Sequence, residues 1–355
     1  MKSNFKKAGL ALFNWYNNQC YQMPWRTNKD PYKIWISEVM LQQTQVKTAK
    51  PYYVNWMKKF PTIQDVAMSD IDNILKTWEG LGYYKRAHNI HESSKIILRK
   101  FNGKLPDSYD DLMILKGVGD YTASAILSIA FNKPYPVFDG NINRVISRLY
   151  KLKDSKMILK KSKEKIKDCM QIINPGDINQ SFMDLGREIC TSQNPKCESC
   201  PINFICKAYN ANETNIYPVK SPQIKKPIYD VAVGLIWQNN KILISKRTKD
   251  KLLGGLWELP GGKKYKKENL KECLKRELLE ELDIKVEINK KIGKIKHLYS
   301  HFGINMTGYI CNYKKGTAKA LASEKIQWIN FQDIPNFAFP RSTIKLFELY
   351  EKNYQ

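Results

Sequence analysis

Apolar residues recur at helical spacing through the first 209 positions of the chain. Runs of helical length are separated by Gly, Pro and Asp, which are typical of helix boundaries. Asp30 and Pro31 predict a helix start, with the aspartate as N-cap and the proline in the first turn. The stretch YKIWISEVMLQQTQV that follows is apolar nearly all round in its first half, so we expect a buried helix. The pattern predicts a helical domain over residues 1–209.

The pattern changes after residue 209. Residues 210–227 contain three prolines and little periodicity, which predicts a linker. Beyond it, YDVAVGLIW and KILIS are typical of strands rich in β-branched residues, and NLKECLKRELLEEL predicts a helix. Residues 228–355 are therefore expected to form a separate α+β domain.

Charge narrows the class of partner. The chain of 355 residues has 59 Lys and Arg against 34 Asp and Glu, a net charge of +25. Such a charge favours polyanions, nucleic acid before an anionic membrane. No stretch approaches the ~18 apolar residues that span a bilayer. Asparagines interrupt the N-terminal apolar patch, so we interpret it as an amphipathic helix and not a signal peptide.

Four of the eight cysteines crowd into residues 190–206. Their spacing is Cys190-x6-Cys197-x2-Cys200-x5-Cys206. Crowding in a chain without a signal peptide favours a metal site over disulfides, and a reducing, intracellular compartment. Both a four-iron cluster and zinc accept four cysteines. A structural zinc site usually has two Cys-x2-Cys pairs and this loop has one, although four unrelated buried cysteines remain an alternative.

A second candidate site is the turn between two apolar helical stretches at Gly117-Val118-Gly119. Two glycines one residue apart let the backbone turn without a Cβ clash. Backbone N–H groups at the start of the following helix are suited to holding a phosphate. The simpler interpretation is a plain turn.

Two carboxyls are candidates for acid–base chemistry. Glu38 lies among Ile34, Trp35 and Val39, where burial should raise its pKa and suit it to general acid catalysis. The alternative is a glutamate on the solvated edge of the helix. Asp139 precedes a predicted helix and is an ordinary N-cap on pattern alone, a role compatible with catalysis.

Several segments carry a family resemblance. WISEVMLQQTQV, GLGYYKRAHN, LKGVGDYTASAI and VFDGNINRV resemble motifs of the adenine DNA glycosylases of the MutY type, over nearly the whole chain. The cysteine spacing resembles the iron–sulfur loop of the endonuclease III superfamily. The resemblance implies an all-α helix-hairpin-helix DNA glycosylase domain with an iron–sulfur loop, followed by a smaller α+β Nudix-like domain.

The resemblance also implies an activity, base excision repair. The chain is expected to be a monofunctional hydrolase of the N-glycosidic bond of adenine opposite 8-oxoguanine or guanine in double-stranded DNA. It implies one 4Fe–4S cluster held by the four cysteines of the loop, and phosphate binding at Gly117, Val118 and Gly119. We expect a bacterial, cytoplasmic, DNA-associated monomer with no membrane partner.

Residue roles follow from the matching motifs. Glu38 would protonate the base and Asp139 would stabilise the sugar cation or bond to it briefly, while Tyr121 and Asn141 would support that intermediate and position water. The positions implied around the extruded adenine are Trp25, Gln42 and Gln180. The positions implied to wedge the duplex and contact the oxidised guanine are Gln43, Thr44, Leu81 and Tyr83.

Two features separate this chain from rival functions. Bifunctional relatives carry a lysine at the position of Tyr121, form a Schiff base and cut the backbone. Lys116 precedes the hairpin and does not match that position. A mismatch-binding protein without chemistry would not need both Glu38 and Asp139.

The chain departs from the family pattern at Cys20 and Tyr21, where the family usually has an arginine.

The second domain contains a nearly complete Nudix box, Gly262-x5-Glu268-x7-Arg276-Glu277-x2-Glu280-Glu281. Its acids are suited to Mg²⁺, and a solvated acidic helix face is the alternative. Asp283 replaces the last glycine of the box, which is expected to end the helix at positive φ. The resemblance implies lesion inspection without hydrolysis, with Ser300 and His301 near the oxidised edge.

Overall fold

A computed structural model gives the fold of residues 2–19, 23–219 and 226–354. The described residues group into two compact units. The helical unit has the bounds Met1–Ala67 and Glu92–Pro222, and the sheet unit has the bounds Met68–His91 and Gln223–Gln355.

Helices make up the described chain up to residue 219. They are α1 (Lys2–Asn17), α2 (Pro31–Leu41), α3 (Val46–Lys59), α4 (Ile63–Met68), α5 (Ile71–Trp78), α6 (Lys85–Phe101), α7 (Tyr109–Met113), α8 (Asp120–Ile129), α9 (Gly140–Tyr150), α10 (Ser155–Cys169), α11 (Pro175–Glu188) and α12 (Lys207–Asn210), with 3₁₀ turns at Pro24–Arg26 and Asn203–Ile205.

Helix α2 shows why the helical unit folds as its sequence predicts. The Asp30 carboxylate accepts hydrogen bonds from the N–H groups of Tyr32 and Lys33, which caps the helix at the predicted start. Tyr32 and every residue from Ile34 to Met40 are buried. Helix α2 packs on α3 and α8, and α11 contacts α1, α8 and α9. These contacts place the helices that carry the candidate site around one core.

The sheet unit is built on one mixed sheet. Its strands are β1 (Ile228–Gln238), β2 (Lys241–Lys246), β3 (Trp257–Glu258), β4 (Gly261–Lys263), β5 (Ile284–Leu298), β6 (Gly303–Gly316) and β7 (Lys325–Asn330), with helices α13 (Leu270–Leu282) and α14 (Arg341–Tyr354) and a 3₁₀ turn at Phe331–Asn336. The order is β3-β2-β1-β6-β5, with β4 paired to β1 and β7 to β2. Strands β1 and β6 are parallel, and the other pairs are antiparallel.

Alternation along β1 explains the two layers of this unit. Val233 and Leu235 point into a core that includes residues of α14. Ala232 and Ile236 point into the opposite core, which includes residues of α13. One helix therefore covers each face of the sheet, and the predicted strands and helix of this α+β domain are confirmed.

Residues 68–91 belong to the sheet unit, whereas the sequence predicts that they are part of the helical domain of residues 1–209. A close approach explains the difference. Gly255 has φ of +79°, and a Cβ there would lie 2.9 Å from Leu75 and 3.1 Å from His88. The boundary at 209 and the linker 210–227 stay predictions, and residues 220–225 lie outside the described part. None of the helices described is long and apolar enough for a membrane span.

Candidate active site

A cavity of about 490 Å³ opens in the helical unit. Helices α2, α8, α9 and α11 contribute to its wall. Residues of its lining that the sequence singles out are Trp25, Glu38, Thr44, Tyr121, Asp139, Asn141 and Gln180. The structure thus brings together the four side chains expected to be catalytic.

Glu38 is buried inside this cavity wall, at 5% exposure, which rules out the solvated-edge alternative. Burial raises the pKa of its carboxyl, as the sequence predicts. The Tyr121 hydroxyl donates a 2.8 Å hydrogen bond to Glu38 Oε2. That bond and the positive charge of Arg26 partly oppose the rise. Glu38 therefore keeps its proton to a higher pH than a glutamate in water.

Asp139 caps helix α9. Its Oδ1 accepts from the Ile142 N–H at 2.7 Å, and its Oδ2 accepts from Asn141 Nδ2 at 2.9 Å. Burial raises the pKa of Asp139, and these hydrogen bonds act in the opposite direction. The N-cap role is confirmed, and the same bonds fix the carboxylate at the cavity wall.

Arg26 and Asp184 also line the cavity, and the sequence did not point to either. Arg26 donates to the two carboxylate oxygens of Asp184 at 2.6 and 3.0 Å. The Asp184 side chain is 1% exposed, so the pair is shielded from water on that side. Two signals existed: Arg26 directly follows Trp25, and Asp184 lies four residues after Gln180 on the same helix face.

The remaining positions implied near the adenine differ in placement. Trp25 and Gln180 are buried and line the cavity. Gln42 is not in the lining, and its Nε2 donates to Thr122 Oγ1 at 3.1 Å. Gln43, which is implied to wedge the duplex and contact the oxidised guanine, is exposed just after α2, with φ of 57°.

The predicted hairpin lies between α7 and α8. Gly117 has φ of +76°, a conformation that glycine adopts without strain. Val118 is buried, whereas Gly117 and Gly119 are exposed. Gly119 is the N-cap residue of α8. The buried valine anchors a turn whose backbone faces solvent at a helix start, as a phosphate site requires.

The four cysteines of the loop are half-buried and form no disulfide. Burial is the main cause that raises the pKa of Cys200 to about 12, and the nearby Cys190, Cys206 and Cys197 raise it further. Across the described ranges, no three His, Cys, Asp or Glu side chains converge on a single ion position. A four-iron cluster binds each thiolate to a different iron, so its ligands surround it. The four cysteines of the loop supply the four thiolates that such a cluster requires.

Two arginines of α9 hold this loop, and the sequence did not point to them. Arg144 Nε donates to the Cys190 carbonyl at 2.6 Å, and its Nη2 donates to Asn141 Oδ1 at 2.8 Å. Arg148 Nη1 donates to the Thr191 carbonyl at 2.7 Å and to Cys190 Sγ at 3.3 Å. Hydrogen bonds therefore link the partner of Asp139 to the first cysteine. The four-residue spacing of the arginines on one helix was the available signal.

Four residues implied to contact the lesion or wedge the duplex lie in the sheet unit: Leu81, Tyr83, Ser300 and His301. Tyr83 is 43% exposed with φ of 49°. Its hydroxyl accepts a 2.7 Å hydrogen bond from Ser300 Oγ. His301 beside it is exposed, whereas Leu81 is buried. The structure therefore brings Tyr83 and Ser300 together and keeps the Leu81 side chain from solvent.

The acids of the Nudix box are held by an arginine. Arg276 Nη2 and Nε donate to Glu268 at 2.7 and 3.0 Å, and Nη1 donates to Glu277 at 2.9 Å and to Glu280 at 3.0 Å. The bond from Arg276 is the main cause that lowers the pKa of Glu268 to about 2. Glu281 differs, since burial raises its pKa to about 7. The box is therefore an internal ion-pair network.

Two departures from the family pattern have different outcomes. Asp283 ends α13 with φ of 57°, so the predicted positive-φ position is confirmed with a non-glycine residue. Cys20 and Tyr21, which stand where the family usually has an arginine, lie outside the described residues.

Models of three protein families match the chain. The HhH-GPD superfamily of base excision DNA repair proteins matches residues 36–173, and the NUDIX domain matches residues 232–349. The iron–sulfur binding domain of endonuclease III matches residues 190–206. The predicted fold class is confirmed, and the loop of four cysteines binds one 4Fe–4S cluster.

Whole-chain relatives give the family. An adenine DNA glycosylase of Buchnera aphidicola subsp. Schizaphis graminum (strain Sg) is 35% identical over 96% of this chain and 97% of its own length. The adenine DNA glycosylase of Homo sapiens is 28% identical over 96% of this chain and 73% of its own. A solved thermostable thymine-DNA glycosylase is 26% identical, with a TM-score of 0.53 over 59% of this chain and 98% of its own. The chain belongs to the adenine DNA glycosylase family of base excision repair enzymes.

Proposed function

We propose that this chain is a monofunctional glycosylase that hydrolyses the N-glycosidic bond of adenine opposite 8-oxoguanine or guanine. The observation that supports it most is the placing of two buried carboxyls, Glu38 and Asp139, in the wall of one cavity, with Tyr121 bonded to the first. The specific lesion pair and the absence of lyase chemistry are part of the proposal.

In the first step Glu38 gives its proton to the base. Adenine is a poor leaving group until it is protonated, and a carboxyl with a raised pKa still holds a proton to give. The base must first leave the duplex stack. Trp25 and Gln180 line the cavity and are the proposed contacts with the extruded base, with Gln42 behind them on Thr122.

In the second step Asp139 stabilises the sugar. The bonding pair of the glycosidic bond leaves with adenine, and a cation like that of glycoside hydrolysis remains. The ionised Asp139 is favoured by its hydrogen bonds from Ile142 and Asn141. Asn141 and Tyr121 position the water, which adds to the sugar and loses a proton to a carboxylate.

The proposal of a monofunctional enzyme depends on which lysine amines could reach the sugar. Tyr121 stands where bifunctional relatives have a lysine, and a phenol forms no Schiff base. Among the described lining residues the amine present is Lys47, which is exposed. Lys116 is exposed on the hairpin and is not in the lining. Lys47 is therefore the residue to remove in a test for lyase chemistry.

Recognition of the opposite strand is assigned to groups that are exposed or partly exposed. Tyr83, Ser300 and His301 are proposed to contact the oxidised guanine, and Gln43 and Thr44 to wedge the duplex. Leu81 is buried, so we assign it to supporting the loop of Tyr83. Phosphate binding is proposed at Gly117–Gly119. Monomeric state and cytoplasmic location stay predictions.

A single-turnover assay tests the proposal. A duplex with adenine opposite 8-oxoguanine should lose adenine, and its strand should break only after alkali. Glu38→Gln serves as the matched control because it keeps the shape of the side chain. Strand cleavage without alkali would favour a bifunctional enzyme, and duplex binding without adenine release would favour a recruiting protein.

A further inference from the structure

The sheet unit contains a helical segment that the proposed reaction does not use. Residues 68–91 comprise helix α5, a loop and the first part of α6, and they pack with the β-sheet. The loop carries Tyr83, the exposed tyrosine bonded to Ser300. The contacts that hold residues 68–91 on the sheet therefore determine the position of Tyr83.

Glu79 and Lys76 at the end of α5 hold residues 337–339. The Phe339 N–H donates to Glu79 Oε1 at 2.7 Å. Lys76 Nζ donates to the Phe337 carbonyl at 2.9 Å and to Glu79 Oε2 at 2.6 Å. The carboxylate and the ammonium thus satisfy one backbone donor and one backbone acceptor, and each neutralises the other.

Residues 337–339 also bond to the sheet. The Trp257 N–H of β3 donates to the Ala338 carbonyl at 2.9 Å. Phe339 is 1% exposed in the core beneath α14. Residues 337–339 are therefore held between strand β3 and the Lys76–Glu79 pair, and this segment connects the pair to the sheet.

Two further contacts hold residues 68–91 on the sheet unit, one on each side of the Lys76–Glu79 pair. Lys246 Nζ on β2 lies 2.8 Å from Asp72 Oδ1 on α5. His88 Nε2 on α6 lies 3.0 Å from the Gly254 carbonyl. The Lys76–Glu79 pair lies between these positions in sequence, and it directly precedes the loop.

The Arg86 side chain connects the end of α5 to the loop. The Arg86 guanidinium lies 5.2 Å from the centroid of the Trp78 ring and 5.3 Å from that of Tyr83, and it donates to the Gly82 carbonyl at 3.0 Å. A displacement of Glu79 relative to residues 337–339 would therefore carry Tyr83 with it. The hydroxyl bond to Ser300 would be the first contact to lengthen.

We propose that Glu79 and Lys76 are positioning residues for lesion preference: by bonding to the backbone at Phe337 and Phe339 they keep the Tyr83 loop in register with the Ser300–His301 loop. The role rests on the proposed function, because it concerns the base opposite adenine. Neither residue takes part in breaking the glycosidic bond.

The test compares Glu79→Ala with Glu79→Gln in the full chain. Glutamine keeps an oxygen for the Phe339 N–H but loses the charge that faces Lys76, whereas alanine loses both. Glu351→Ala, at an exposed position of α14, is the matched control. Single-turnover adenine release is measured opposite 8-oxoguanine and opposite guanine, and hydrogen exchange is measured over residues 337–339.

Glu79→Ala should reduce the ratio of the two rates about tenfold, the effect of one charge-assisted hydrogen bond, and should speed exchange at 337–339. The rate opposite guanine should stay within about twofold, since the bond-breaking groups are untouched. Glu79→Gln should keep most of the ratio, and Glu351→Ala all of it.

The outcomes separate this role from the proposed function. A wild-type preference for 8-oxoguanine that survives in Glu79→Ala overturns the positioning role alone, whatever the exchange shows. An equal loss on both duplexes also overturns it, because that is the result of general damage. Wild-type protein without adenine release or without the preference overturns the proposed function and this role together.

Discussion

The Tyr121 hydroxyl donates to Glu38 Oε2 across 2.8 Å, so the tyrosine proposed to stand in place of a catalytic lysine is bonded to the proposed acid. This bond favours the ionised carboxylate and opposes the effect of burial on the pKa of Glu38. Tyr121 thus adjusts the protonation of Glu38 as well as excluding an amine from its own position.

Tyr121→Phe should move the pH dependence of adenine release. The hydrogen bond lowers the pKa of Glu38, so its loss raises that pKa and keeps the acid protonated to higher pH. The alkaline limb of the single-turnover profile should therefore shift to higher pH, while the maximal rate falls about tenfold through lost positioning. A limb that stays in place or moves to lower pH would separate Tyr121 from the protonation of Glu38.

Glu38→Gln should reduce adenine release by roughly 10²–10⁴-fold, the usual contribution of a general acid. Duplex affinity should persist, because an amide of the same shape fills the site. The measurements are single-turnover rates and equilibrium binding on the same duplex. Near-normal release by this variant would remove Glu38 from the acid role.

The same substitution should change how stability depends on pH. The folded-state pKa of Glu38 is raised above the unfolded value, so its contribution to stability is complete below the unfolded pKa and is lost as pH rises through the folded pKa. Glutamine removes this loss. The Tm of Glu38→Gln should therefore exceed that of the wild type increasingly with pH, up to the folded pKa. Parallel Tm curves would contradict the raised pKa.

Sequence patterns predicted this site where chemistry and local folding coincide. Glu38 sits in an apolar run, which favoured a buried acid but left a solvated position as the alternative. Asp139 precedes a helix, which predicted an N-cap, and the catalytic roles came from the family resemblance. Arg26 and Asp184 escaped, because their bidentate pair forms between residues 158 positions apart. The packing of residues 68–91 on the sheet escaped for the same reason, since it depends on a glycine turn at 254–255 far along the chain.

Borohydride reduction during turnover should trap little covalent adduct with DNA. No lysine stands at the position of Tyr121, and Lys47 is an exposed amine at the edge of the lining. Trapping is quantified for the wild type and for Lys47→Gln. Efficient trapping that disappears in Lys47→Gln would make the enzyme bifunctional with Lys47 as nucleophile. Efficient trapping that persists would place the nucleophile elsewhere.

Purified protein should contain about four irons per chain, the content of a four-iron cluster. Cys200→Ser should lose most of this iron, because one of the four ligands is removed, and it should bind DNA more weakly if the cluster keeps the loop in its folded shape. Cys169→Ser is the matched control, since Cys169 is a buried thiol of α10 outside the loop. Iron content and visible absorbance report the outcome. Stoichiometric zinc in anaerobically prepared wild-type protein would overturn the assignment.

The acids of the Nudix box raise the question of whether the chain also hydrolyses nucleotides. Glu268, Glu277, Glu280 and Glu281 have the spacing of magnesium ligands. Arg276 already bonds to three of them, Glu268, Glu277 and Glu280. A divalent ion would have to displace or crowd a guanidinium that these carboxylates stabilise. We expect the box to act as a structural ion-pair network that stiffens the end of β4 against α13.

The full chain should therefore show no Mg²⁺-dependent hydrolysis of oxidised dGTP above that of Glu280→Gln. Glu280 is the fitting substitution because it is the most exposed of the partners of Arg276, so its change leaves the bonds to Glu268 and Glu277 in place. Pyrophosphate release is measured with and without Mg²⁺, and Arg276→Gln is assayed beside it. If Arg276 prevents metal binding, adding Mg²⁺ should change the Tm of Arg276→Gln but not the Tm of the wild type. Turnover by the wild type that vanishes in Glu280→Gln would instead make this a two-activity enzyme, with the guanidinium displaced whenever a nucleotide brings its metal.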